Sequence, residues 1–225
     1  MSINIDISPN LLQEIRLIHS LCDEGVDIYC CYTDYLKLLP IKTHFNGNIY
    51  IGYNYEGENI SNILKINHTL PLTEFRDKKK SLIFPRSLIK YCYDDLPKKR
   101  MEIFFSGKLT SKRTNSIKKL KEKLNLNLIT EISHNGRNFP IKTFDKNYFD
   151  NMKKYKFIFC PDGDFIWTYR FFESVMCGAI PVIENDCELY KGFKYYKLSD
   201  DLNNIRYNED WITHNIKILK EKFTL

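Results

Sequence analysis

Residues 155–185, YKFIFCPDGDFIWTYRFFESVMCGAIPVIEN, decide how the chain is read. Lys156 to Cys160 is a short apolar run, broken by Pro161, Asp162, Gly163 and Asp164. Thr168 is placed to cap a helix whose apolar positions include Phe172, Val175 and Met176, and Gly178 stops that helix. Ala179 to Ile183 is a second continuous apolar run of strand length. Strand, loop, helix and strand in this order predict a βαβ crossover with both strands buried, the usual form of a parallel sheet.

Arg170 and Glu173 stand three residues apart on the first turns of the predicted helix. They share a face and point toward the crevice at the carboxyl ends of the strands. A helix amino terminus carries partial positive charge, so an arginine there is unfavourable unless an anion sits nearby. A diphosphate meets that need, and Glu173 is placed to accept hydrogen bonds from a vicinal diol such as a ribose. A simple surface pair on the helix accounts for the same spacing, and spacing alone leaves both readings open.

Upstream, the second half repeats a βα pattern. Met101 to Phe105 reads as a strand, Ser106 and Gly107 as the turn after it, and Thr114 to Leu124 as a helix with Ile117, Leu120 and Leu124 on one face. Leu126 to Ile132 reads as a strand and Tyr148 to Tyr155 as a helix. Short crossovers of this kind predict a Rossmann-like parallel sheet. In FFSGKLTSKR, residues 104–113, Gly107 leads to Lys108, Lys112 and Arg113 just ahead of a helix. That order puts backbone N–H groups and cations where a phosphate sits. It is neither a Walker loop nor G-x-G-x-x-G. For Lys108 and Lys112 a solvated basic loop is the preferred reading.

The segment F-C-P-D-G, then Y-R-F-F-E, then C-G-A-I-P-V-I resembles the nucleotide-sugar-binding segment of the exostosin-type glycosyltransferases. Related families that transfer fucose or glucose from nucleotide sugars share much of this pattern. By that resemblance Arg170 contacts the donor diphosphate and Glu173 the ribose, while Gly163 and Thr168 shape the loop between them. The family has a similar F-x-G turn and a basic residue at the first strand of its donor domain, which adds Gly107 and Arg113 to the donor site.

The resemblance implies a GT-B-like α/β fold. Residues 98–225 form the Rossmann-like donor domain, and residues 1–97 form a smaller amino-terminal α/β lobe on the acceptor side. The implied activity moves a sugar from a nucleoside diphosphate sugar, UDP being the first choice, to a glycan or other hydroxyl acceptor. Inversion, with neither metal nor cofactor, is implied as well. The general base is expected in the first lobe, where Asp27, Asp34, His44, Glu56 and His68 stay open. The alternative is a catalytically inactive protein that binds the nucleotide sugar on a retained donor fold.

The first lobe is less patterned. Residues 8–25 read as a helix with Leu11, Leu12, Ile15, Ile18 and Leu21 or Cys22 on one stripe and Gly25 at its end. Val26 to Tyr32 reads as a strand, Leu36 to Leu39 as a short helix before Pro40, and Asn48 to Tyr53 as another strand. Residues 54–80 show no clear period and read as loops and short pieces. A boundary is expected near Asp94 to Arg100, where charge and a proline separate apolar runs. At the other end Ile212, Ile216, Leu219 and Phe223 make a structural helix stripe.

With 225 residues, 43% hydrophobic and 14% aromatic, the chain is globular and long enough to bury a core. A formal net charge of +6 favours anionic partners. The lysines fall in scattered runs, such as Lys78 to Lys80 and Lys98 to Arg100, rather than in a stripe interleaved with aromatics, which argues against nucleic acid. Seven cysteines without C-x-x-C spacing argue against a disulfide framework or a zinc site. Neither a signal-like amino terminus nor a run of membrane-span length is present, so a reducing, cytoplasmic setting is expected. This departs from the animal exostosins, which are membrane-anchored in the secretory pathway. Weaker candidates are His134, Asp186, Glu188 and Trp167, each of which a loop or packing role also explains.

Overall fold

The computed structural model describes residues 1–5, 12–59, 82–124, 127–133, 144–163 and 165–225. The predicted positions Leu11, His68, His134 and Asp164 lie outside them, as does most of the 54–80 stretch. The chain divides into two compact units. The first comprises residues 1–89, 137–145 and 223–225, and the second residues 90–136 and 146–222.

In the first unit, β1 (Ser2–Asn4), α1 (Leu12–Asp23), β2 (Asp27–Cys30), α2 (Tyr32–Phe45), β3 (Ile49–Ile51) and β4 (Glu58–Asn59) alternate strand and helix. All three strand pairings are parallel, in the order β3-β2-β1-β4. Ile15, Ile18, Leu21 and Cys22 form the buried stripe expected of α1, and they join Ile3, Ile28 and Ile49 in one core. One strand was not foreseen and one expectation needs correction. The first strand of the chain, β1, has only three residues and gave no periodic signal. The second helix is not a short piece ending before Pro40 but runs through it to Phe45. Leu38 and Ile41, both buried against the sheet, hold the segment helical despite the ~3 kcal/mol that an interior proline costs.

The chain enters the second unit within α3 (Arg86–Tyr93) and continues as β5 (Arg100–Lys108), α4 (Ser111–Lys123), β6 (Leu128–Ser133), α5 (Lys146–Met152) and β7 (Tyr155–Cys160). Then follow α6 (Tyr169–Met176), β8 (Ile180–Ile183), β9 (Tyr196–Lys197) and α7 (Glu209–Lys222). The sheet is again entirely parallel, in the order β6-β5-β7-β8-β9. The predicted βαβ crossover is β7-α6-β8, paired from Phe157 with Ile180 to Cys160 with Ile183. Phe157, Phe159, Ile180 and Val182 pack in the same core as Ile103 and Phe105 of β5.

Gly178 ends α6 as expected, with φ +61° and its N–H on the Val175 carbonyl at 3.0 Å. Lys99 donates to the carbonyls of Lys153 (2.6 Å) and Cys177 (2.7 Å), a cation placed on the negative ends of α5 and α6. The carboxyl end of α7 leads back to the first unit, where the Phe84 N–H donates to the Phe223 carbonyl at 2.7 Å.

The strand order locates the crevice. From β5 the chain goes to β6 on one side, and β7, β8 and β9 are then laid down on the other. The sequence of strands therefore reverses between β5 and β7. In open α/β sheets ligands bind beyond the carboxyl ends of the strands at such a switch point. Here those ends are Gly107–Lys108 and Cys160–Asp162.

Candidate functional site

Gly107 lies within β5, which corrects the reading of Ser106–Gly107 as a turn. The strand extends to Lys108 because Gly107 pairs with Ile132 and Lys108 with Ser133 of β6. Its φ of +148° suits glycine, and a Cβ there would collide with the Arg170 guanidinium. Gly107 therefore leaves the space that the arginine fills.

Arg170 is presented by the first turn of α6. Thr168 caps that helix, its Oγ1 accepting from the Arg170 N–H at 3.4 Å. The Thr168 N–H in turn donates to the Tyr190 hydroxyl at 2.8 Å. Tyr190 is held by stacking on Phe171, ring centroids 3.8 Å apart. The arginine itself is only 8% exposed, and its guanidinium lies over the Phe105 ring at 4.7 Å. Among the described residues its Nε and Nη1 have no hydrogen-bond partner. A buried cation with unmet donors, at the positive end of a helix, is a site short of an anion.

Glu173, 5% exposed, lies one turn deeper and accepts from the Tyr148 hydroxyl at 2.7 Å. Burial, and then the Glu173 charge, raises the Tyr148 phenol well above its ordinary pKa. The surface-pair reading of Arg170 and Glu173 does not hold. Both are buried, and among the described residues no ion pair joins them.

Arg113 closes the other side of the switch point. Thr110 caps α4 by accepting from the Arg113 N–H at 3.3 Å. The Arg113 guanidinium donates to the carbonyls of Lys108 (3.1 Å) and Asp162 (3.4 Å), joining the ends of β5 and β7. A Cβ on Gly163 would stand 3.0 Å from its Nη2, so Gly163 admits the guanidinium in the way Gly107 admits that of Arg170.

Lys112 is solvated as expected, and from that exposed position it reaches Asp162 Oδ2 at 3.5 Å. The same oxygen accepts from Asn185 Nδ2 at 2.7 Å. Ser116 of α4 donates to Glu184 Oε2 at 2.7 Å, bringing the end of β8 to the same place.

Gly107, Arg113, Gly163, Thr168 and Arg170 thus gather at one strand-end crevice, with Glu173 beneath. Asp162, Asn185, Tyr148 and Tyr190 complete it and were not singled out from the sequence. Asp162 was read only as a breaker of the strand before it, and the other three meet the site through contacts remote in sequence, which leave no local pattern.

The weaker candidates are engaged elsewhere. Asp186 accepts from Tyr195 (2.6 Å) and Lys197 (2.7 Å), and Glu188 lies 3.6 Å from Lys191. Trp167 packs between Phe165 and Tyr169, at 6.2 and 5.2 Å between ring centroids. In the first unit Asp34 is buried and paired with Lys37 at 2.9 Å, and His44 lies against Phe144 at 5.0 Å.

Two α/β units with parallel sheets, one with a crevice at its switch point, have the Rossmann-like architecture of the GT-B type. Residues 56–190, more than half of the chain, match the model of the Exostosin GT47 domain, and the chain belongs to that family. No curated protein matches it. Membership supports glycosyl transfer as the general activity, with a nucleotide sugar and a glycan acceptor as its partners. Among the described residues no helix is long and apolar enough to cross a membrane.

Proposed function

We propose that the protein transfers a sugar from a nucleoside diphosphate sugar to a glycan or other hydroxyl acceptor, and that the crevice between β5 and β7 holds the donor. The carrying observation is Arg170, a buried arginine with two unpartnered nitrogens, seated against Gly107 at the switch point. A diphosphate supplies the acceptors it lacks and is favoured by the amino terminus of α6. Arg113 adds a second cation across the crevice. Glu173, oriented by Tyr148, takes the ribose hydroxyls.

In this reading the acceptor hydroxyl is deprotonated by a general base, and the leaving diphosphate is stabilised by the arginines and the helix terminus in place of a metal. The outcome is inversion. UDP is the first choice of nucleotide, and a cytoplasmic setting goes with the free thiols, five of the seven being buried. The test is incubation of wild type and Arg170→Ala with nucleotide sugars and glycan acceptors, with products read by mass. A glycosylated acceptor with wild type alone supports transfer. Nucleotide-sugar binding without any transfer or hydrolysis would instead favour a protein that keeps the donor fold without turnover.

A further inference from the structure

We propose that Asp162 selects which diphosphates enter the crevice: its free oxygen takes a hydrogen bond from a hydroxyl or N–H of the ligand, and its charge turns away bare inorganic diphosphate. This rests on the donor-site reading above. Asp162 stands at the carboxyl end of β7, only 2% exposed. Through Arg113, which donates to both Lys108 and Asp162 carbonyls, it lies across from the residue following Gly107, where Arg170 is seated. Its Oδ2 accepts from Asn185 and Lys112, whereas its Oδ1 is buried and has no partner among the described residues.

The two orphaned groups ask for opposite things. Arg170 needs acceptors. A carboxylate only accepts, so Asp162 Oδ1 needs a donor. A phosphate oxygen facing it is a like-charge neighbour and leaves it unmet. The ligand that satisfies both carries a neutral hydroxyl or N–H beside its diphosphate, as a nucleoside or a linked sugar does, whereas the one hydroxyl of pyrophosphate is an acidic P–OH on a highly charged anion that the Asp162 carboxylate repels.

Asp162→Asn reverses this local chemistry without changing shape. Lys112 can only donate, so it keeps the amide oxygen at the Oδ2 position and turns the NH2 toward the ligand. The site then offers a donor where it offered an acceptor, and the negative charge is gone. Lys112→Ala does the opposite, leaving the Asp162 charge less neutralised.

The test is calorimetric titration of wild type, Asp162→Asn, Lys112→Ala and Arg170→Ala with UDP, UDP-glucose, GDP, GDP-mannose and inorganic pyrophosphate. Wild type is expected to prefer a nucleotide over pyrophosphate, Asp162→Asn to narrow that ratio by about tenfold, a 1.4 kcal/mol change, and Lys112→Ala to widen it. Equal loss for the nucleotide and its sugar conjugate places the donating group on the nucleoside, and loss for the conjugate alone places it on the sugar.

Arg170-dependent nucleotide binding whose ratio to pyrophosphate is the same in Asp162→Asn overturns this proposal alone. If wild type binds no nucleotide, the donor-site reading fails and this falls with it. Should Asp162→Asn not fold, the Lys112→Ala ratio decides: widening supports the proposal, and an unchanged or narrowed ratio overturns it.

Discussion

The guanidinium of Arg170 occupies the space that a side chain on residue 107 would need: a Cβ built on Gly107 meets Arg170 Nη2 inside any real contact distance. Gly107→Ala therefore carries two penalties, the collision and a backbone at φ +148°. The expected loss of stability is about 1–3 kcal/mol. Because the arginine must move to make room, nucleotide affinity is expected to fall by about tenfold or more. Urea denaturation and titration read the two effects, and unchanged affinity in a folded Gly107→Ala would mean that the seat of Arg170 does not matter for binding.

Arg170 itself is expected to cost the fold something. Its Nε and Nη1 are buried without partners among the described residues, so Arg170→Leu removes an uncompensated charge and keeps the apolar stem. The variant is expected to be more stable than wild type by about 1 kcal/mol or more, as when a functional site is traded for packing. Denaturation midpoints decide, with a clear destabilisation counting against an arginine held for a ligand.

Tyr148 orients Glu173 through the 2.7 Å hydrogen bond. Removing the hydroxyl in Tyr148→Phe leaves a buried carboxylate one donor short, at about 1–3 kcal/mol. Binding of a nucleoside diphosphate is expected to weaken more than binding of pyrophosphate, because only the nucleoside has a ribose for Glu173. Equal weakening of the two ligands would separate Glu173 from the ribose.

His19 couples the first unit to pH. Burial, and then the nearby Arg16 charge, lowers its pKa from 6.5 to about 3. The single hydroxyl hydrogen of Ser87 points to Asp23, at 2.8 and 2.9 Å from its two oxygens, so His19 Nε2 carries the hydrogen donated to Ser87 Oγ at 2.8 Å. Between pH 6.5 and about 3 the unfolded chain takes up a proton at His19 that the folded chain does not. The His19 contribution is therefore present above pH 6.5 and lost as pH falls toward 3. Asp23, raised chiefly by burial, works in the opposite sense as it protonates. His19→Gln is expected to flatten the loss of stability between pH 7 and pH 4, measured by urea denaturation. An equally steep loss in the variant would assign it to other groups.

The second unit was more legible than the first because its strands are buried on both faces. Runs such as Phe157–Cys160 and Ile180–Ile183 announce themselves as continuous apolar segments. The three-residue β1 and the two-residue β4 are too short for any period to show. Ser106–Gly107 has the composition of a turn, yet pairing with β6 carries the strand through it, and the glycine serves a distant arginine instead. Pro40 signals a helix end locally, but Leu38 and Ile41 are anchored in the core. At the site, Arg170 and Glu173 were visible because their spacing is local. Asp162 and Asn185, 23 positions apart and joined by one hydrogen bond, become partners only once β7 and β8 lie side by side.

In the function proposed above, Arg170 holds a nucleoside diphosphate. The most direct measurement is calorimetric and thermal-shift titration of wild type and Arg170→Ala with UDP, GDP, ADP and CMP, with and without a chelator. Stabilisation of wild type by one diphosphate, unaffected by chelation and lost in Arg170→Ala, is the expected result. A folded wild-type protein that binds none of the four, or an Arg170→Ala variant that binds as well as wild type, would contradict it.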